Sequence, residues 1–242
     1  MRLLLLILIP VLLLAACSDD SVDLVARDIV SDIPWDVPET AKYRLLQGDD
    51  LKGSGVLGLS NNGTAVRVTQ TFDIPEENIS DTVTADAKED TLRPMVVERT
   101  IDGPEGKREC TASYPIAPGI NRVTVDQKAG ADERTDELDI PPQHYDSWTD
   151  LFLWRTIEFF EGNELKYVDV LSCSLAKPDL LSVILKVKEI EEVTVPAGTF
   201  QAWRLEIRSG GRTQKAWYAD DERRTLVRYD NGDLVFELES ID

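Results

Sequence analysis

Trp203-Arg204-Leu205-Glu206-Ile207-Arg208-Ser209-Gly210-Gly211-Arg212-Thr213-Gln214-Lys215-Ala216-Trp217-Tyr218 is the stretch that decides the fold. Trp203, Leu205 and Ile207 alternate with Arg204, Glu206 and Arg208, the period-two pattern of a half-buried strand. Gly210-Gly211 makes a tight turn, because glycine adopts the positive φ that a two-residue hairpin needs. On the return, Ala216 and Tyr218 alternate with Lys215 and Trp217. Trp203 and Trp217 lie on the two strands of this hairpin and are candidate cross-strand aromatics, depending on its register.

The same pattern extends both ways. Toward the C-terminus, Asp220-Asp221 turns the chain, Leu226 to Tyr229 extends, and Asn231-Gly232 makes a last hairpin. Leu234, Phe236 and Leu238 share one face of the strand that follows. Upstream, Val183, Leu185 and Val187 alternate with Ile184, Lys186 and Lys188 until Pro196-Ala197-Gly198 breaks the run. From Ala41 onward, Val66, Val68 and Phe72 share a face behind the turn signal Asn61-Asn62-Gly63. Further short runs start at Val83, at Met95 with Val97, around Cys110, and at Val123 with Val125. Lys128 to Thr135 reads as a polar turn. Many short strands joined by hairpins predict a mainly β fold, an antiparallel meander curled into a half-barrel or barrel.

One segment breaks the pattern. Pro141-Pro142 precedes Ser147-Trp148-Thr149-Asp150, a helix-start capping box, and Leu151 to Ile157 is good helix material. The expectation is one short aromatic-rich helix between about Ser147 and Ile157. Trp148, Phe152, Trp154, Phe159 and Phe160 gather here. They read either as core that plugs the open end of the curled sheet or as an apolar lid over a cavity.

The N-terminus carries an address. Arg2 precedes an unbroken apolar run from Leu3 to Ala16, and Leu14-Ala15-Ala16-Cys17 matches the lipobox of bacterial lipoproteins. Fourteen residues at 1.5 Å each cover about 21 Å, short of a hydrocarbon core about 30 Å thick, so the run reads as a signal peptide and not as a membrane span. Residues 1–16 are expected to be removed and Cys17 acylated. Residues 17–40 then form a lipidated N-terminus and acidic tether, with a short amphipathic helix around Val22 to Val30, and residues 41–242 form a single β-rich envelope domain. Two or three acyl chains anchor a protein stably where one does not. The expected location is the periplasmic face of the outer membrane in a Gram-negative source, given Ser18 after the cysteine, and otherwise the outer face of the cell membrane.

Charge and residue inventory narrow the chemistry. With 45 Asp plus Glu against 26 Lys plus Arg, the net charge is −19. Such a surface repels phosphate backbones, which argues against nucleic acid as a partner. An exported chain permits a disulfide between Cys110 and Cys173, while two buried free thiols are the competing reading. His144 is the only histidine, so zinc sites built on histidine pairs are excluded. Beside a helix start it reads as a hydrogen-bonded structural residue. No nucleophile elbow, phosphate-cradling glycine loop or calcium loop is present. Asp49-Asp50, Glu76-Glu77 and Asp220-Asp221 sit at turns, not across a cleft. The chain reads as no enzyme and as needing no cofactor.

Three stretches resemble a known family. They are Asp150-Leu151-Phe152-Leu153-Trp154-Arg155, Val195-Pro196-Ala197-Gly198-Thr199-Phe200-Gln201-Ala202, and Ala216-Trp217-Tyr218-Ala219-Asp220-Asp221 with Arg224 to Arg228. With a weaker likeness near Leu92-Arg93-Pro94, they are similar to the bacterial envelope family known as domain of unknown function number three-one-zero-eight, and more loosely to lipoprotein carrier folds. The resemblance implies a curved antiparallel sheet in an exported protein and no particular activity. Two functions remain open at this level. One is a structural or partner-docking β domain at the envelope. The other is binding of a lipid or other apolar ligand in a lidded β cavity. Its partners are then the membrane, through acyl chains, and an envelope protein or lipid.

Overall fold

The computed structural model describes residues 26–242 except Asp36 and Pro118. The expected signal peptide, Cys17 and the first part of the expected tether lie outside the described residues. In chain order the strands are β1 (Glu39–Gln47), β2 (Asp50–Asn61), β3 (Val66–Ile74), β4 (Ile79–Ala87), β5 (Pro94–Gly103), β6 (Gly106–Ser113), β7 (Arg122–Ala129), β8 (Asp132–Asp139) and β9 (Tyr145–Asp146). A single α-helical turn, α1 (Asp150–Leu153), and a 3₁₀ turn (Trp154–Thr156) interrupt them. Then come β10 (Glu164–Leu171), β11 (Asp179–Val195), β12 (Gly198–Ser209), β13 (Arg212–Ala219), β14 (Leu226–Asp230) and β15 (Val235–Ile241).

All fifteen strands form one sheet, ordered β8-β7-β6-β5-β4-β3-β2-β1-β15-β14-β13-β12-β11-β10-β9. Every pairing is antiparallel except the short β9–β10 contact. Two meanders therefore join where the first strand meets the last, with Leu45 opposite Phe236. The mainly β expectation holds, and the sheet curls without closing into a continuous ladder. The Gly210-Gly211 turn has φ of 55° and 76°, the double positive value of the tight hairpin.

The two ends of the sheet meet at a seam held by side chains. Cys110 on β6 is disulfide-bonded to Cys173, just past β10, across a sequence separation of 63. Nearby, the Arg99 guanidinium donates to the Cys173 carbonyl at 2.8 Å, and Gln127 Nε2 donates to the Ser174 carbonyl at 3.3 Å. Tyr114, beyond β6, donates its hydroxyl to Asp146 on β9. The bridge thus ties strands near opposite edges of the sheet. Replacing both Cys110 and Cys173 by serine is expected to cost about 2–4 kcal/mol. Urea unfolding checks this, and the wild type should lose the same amount on reduction.

Four expectations are corrected. Lys128 to Thr135 is not a simple turn: the chain reverses at Gly130 and Asp132–Asp139 forms edge strand β8. Its sequence, Asp-Glu-Arg-Thr-Asp-Glu-Leu-Asp, hides a strand behind charge, which suits an edge that must not pair with another chain. The amphipathic helix is absent from residues 26–30, which run as coil. Part of the acidic tether also docks on the domain. Ile29 and Trp35 are buried, and the Ser31 and Asp32 amides both donate to the Thr156 carbonyl at 3.0 Å. Finally, the helix is one turn long. Its N-cap is Thr149, without a side-chain cap, so the Ser147–Asp150 box does not form. Asp146 takes over, accepting from the Trp148 amide at 2.9 Å, while Asp150 turns inward to Tyr167.

Candidate functional site

The short helix sits inside the curl, and tyrosines fasten it there. Tyr218 donates to the Leu151 carbonyl at 2.8 Å. Trp154 Nε1 donates to the Tyr167 hydroxyl at 2.8 Å, and that hydroxyl donates to Asp150 Oδ1 at 2.9 Å. Arg155 is 2% exposed and forms a two-point ion pair with Glu39 on β1, at 2.7 and 3.0 Å. The segment is therefore pinned at several points, and it resembles a fixed plug more than a hinged flap.

The plug does not fill the curl. A cavity of about 400 Å³ lies between it and the sheet. Leu45, Phe72, Leu181, Ile207 and Phe236 project into it from β1, β3, β11, β12 and β15, and Trp148, Leu151 and Trp154 close it from the plug. Phe72 meets Phe236 edge-on at 5.4 Å, and Tyr229 packs on Phe236 at 5.3 Å. This volume falls in the range of small-molecule pockets, which are mostly apolar with a few polar groups. A larger concavity of about 630 Å³ lies over β4 to β8, lined by Thr84, Glu98, Thr111, Asp126 and Thr135. It is polar and open, as a bent, charged strand face is expected to be, and it lacks the apolar walls of the inner cavity.

The candidate residues divide between these surroundings. Trp148 is half-buried at the cavity with Arg99 stacked 4.5 Å over its ring. Trp154 lines the cavity and is 1% exposed. Phe152 is buried in the core and does not line the cavity. Phe159 packs on Tyr218 and Trp203, at 5.9 and 6.3 Å. Phe160 is 51% exposed and belongs to neither lid nor core, because the chain turns outward after Ile157. Trp203 and Trp217 do not pair with each other. The hairpin register sets Trp203 opposite Tyr218 and Trp217 opposite Arg204, so the two indoles are on opposite faces of the sheet. Trp217 Nε1 donates to Glu191 at 2.8 Å, with Arg228 over its ring. His144 is structural: its Nδ1 lies 2.7 Å from the Pro141 carbonyl, and its ring stacks on Tyr114.

The polar end of the cavity was not legible in the sequence. Asp146, Asp150 and Asp169 are all buried there, on β9, α1 and β10. Asp150 and Asp169 both line the cavity, close enough to perturb each other's titration. Desolvation pushes Asp146 up to about 6 and Asp150 up to about 8, and it holds Asp169 well above the usual carboxylate range. Among the described residues, no three His, Cys, Asp or Glu side chains are placed to hold a metal ion.

Comparison with known proteins agrees with this architecture. The model of a family described as protein of unknown function, DUF3108, matches residues 51–239. No curated protein matches the chain. Among solved structures, the chain is similar to a beta-barrel-like protein of domain of unknown function DUF1849 from Brucella abortus. That match has a TM-score of 0.58 at 12% identity and covers 88% of this chain and 98% of the other. A second match, from Bacteroides fragilis with a YmcC-like fold, has a TM-score of 0.28 at 12% identity, with 89% and 100% coverage. The first likeness speaks to fold alone, and the second carries no argument.

Proposed function

This chain belongs to the DUF3108 family of proteins of unknown function, and from that premise we propose that it is an exported lipoprotein, anchored through Cys17, whose curled sheet holds an apolar ligand at the cell envelope. The observation that carries the ligand reading is the apolar cavity of about 400 Å³ between plug and sheet. A purely structural or docking domain has no need of a concave, mostly apolar recess with a few polar groups at one end, which is the form ligand pockets take. No catalytic role is proposed.

The lipobox supports the anchor, and a disulfide in the fold suits an oxidising compartment outside the cytoplasm. Fractionation tests the anchor. Wild type should pellet with membranes and Cys17→Ser should not; a soluble wild type contradicts it.

Thermal shift tests the cavity. A neutral amphiphile such as dodecanol should raise the melting temperature of wild type by mass action. Trp148→Ala should reduce that shift, because it opens the cavity wall. Phe152→Ala should instead cost about 3–5 kcal/mol of stability with the ligand shift retained, since Phe152 packs in the core. If dodecanol leaves wild type unchanged, the structural reading leads.

A further inference from the structure

The cavity has a chemical polarity that goes beyond apolar shape. The charged residues lining it are Asp81, Asp150 and Asp169, and no Lys, Arg or His faces it. Asp81 is already matched, in a two-point pair with Arg99 at 2.6 and 3.0 Å. Among the described residues, no cation pairs with Asp150 or Asp169. Asp169 is 1% exposed, and its Oδ1 has no hydrogen-bond partner among the described residues. Such a buried acceptor normally finds a partner, and leaving one unmet is unfavourable.

We propose that the cavity selects apolar-tailed ligands whose polar end donates hydrogen bonds, a hydroxyl, amide or ammonium group, and rejects those ending in carboxylate or phosphate. This rests on the ligand reading above and names the substrate class of the same cavity. An anionic end carries no donor for the unpartnered Asp169 oxygen and would set a desolvated charge against that acceptor. A donor end satisfies Asp169 while its tail lies on Phe72, Leu181 and Phe236. The chain's net charge of −19 opposes anionic ligands at longer range as well.

Three probes with one tail length separate the cases: dodecanol, dodecylammonium and dodecanoate, below their micelle concentrations. They are titrated into the full mature chain carrying Cys17→Ser and followed by tryptophan fluorescence and calorimetry. Both donor-headed probes should bind at least tenfold more tightly than dodecanoate at pH 7.5. Asp169→Asn should narrow that preference to threefold or less. Dodecylammonium should release a proton from the acid pair on binding, read as a dependence of the heat on buffer ionisation enthalpy, and dodecanol should release none. That wild-type measurement stands even if Asp169→Asn fails to fold. Equal or tighter binding of dodecanoate, or ammonium binding without proton release, overturns the selectivity while leaving an apolar pocket. Binding of none of the three overturns the ligand reading with it.

Discussion

Arg155→Met is expected to destabilise the fold by about 3–5 kcal/mol, the usual cost of leaving one partner of a buried ion pair alone. In a domain of this size that is a fall of roughly 10 °C in Tm. Arg155 sits at the end of the plug, and its guanidinium meets both oxygens of Glu39 at 2.7 and 3.0 Å. It also donates to the Arg223 carbonyl at 2.7 Å and lies 5.1 Å over the Trp35 ring. Without it, the Glu39 carboxylate is stranded where the first strand begins. Adding Glu39→Gln to Arg155→Met should recover a large part of the loss, because the uncompensated charge is then gone. Thermal denaturation of the four proteins checks this. Equal Tm for wild type and Arg155→Met contradicts a plug fastened to β1.

Stability should fall as pH rises from about 4 to 8. Asp146 and Asp150 hold their protons in the folded state up to about 6 and about 8, and burial keeps Asp169 well above the usual carboxylate range. In the unfolded chain all three ionise near pH 4. Folded carboxyls that bind protons more tightly than unfolded ones stabilise the protein fully below that lower pKa. Their contribution is lost as pH climbs through the folded values. Each group costs about 1.4 kcal/mol per pH unit while the two states differ in protonation. Asp150→Asn removes one titrating group while keeping its shape, so the variant should show a shallower decline and a Tm at pH 8 at or above wild type. A flat or rising wild-type curve between pH 5 and 8 contradicts a buried, protonated acid cluster. The comparison with Asp150→Asn separates this cluster from repulsion among surface charges, which both proteins share.

What the sequence showed and what it hid follow from the range of each interaction. The β12–β13 hairpin is legible because its signals are local: alternation sets the buried face, and Gly210-Gly211 sets the turn. The same two-residue turn excludes a Trp203–Trp217 pair, since it puts residues of opposite faces at those positions. β8 is hidden because six of its eight residues are charged, and only its place beside β7 makes it a strand. The capping box misleads because the local Ser147–Asp150 signal loses to a distant one, Tyr167, which draws Asp150 inward. Glu39 and Arg155 stand 116 residues apart, and no periodicity connects them. The acid cluster is equally non-local: Asp146 and Asp150 read as a helix start, and Asp169 reads as one polar residue in the apolar stretch Tyr167 to Leu171. Burial brings them together.

The curled sheet and its plug form an apolar recess proposed to bind one apolar molecule. The most direct test is a titration with the neutral dye Nile red, in wild type and in Leu181→Trp, whose larger side chain occupies the cavity from β11. Wild type should show saturable fluorescence enhancement at one dye per chain, displaced by dodecanol, and Leu181→Trp should lose at least tenfold in affinity while keeping its β-sheet dichroism. Non-saturating dye uptake, or equal affinity in a folded Leu181→Trp, contradicts it.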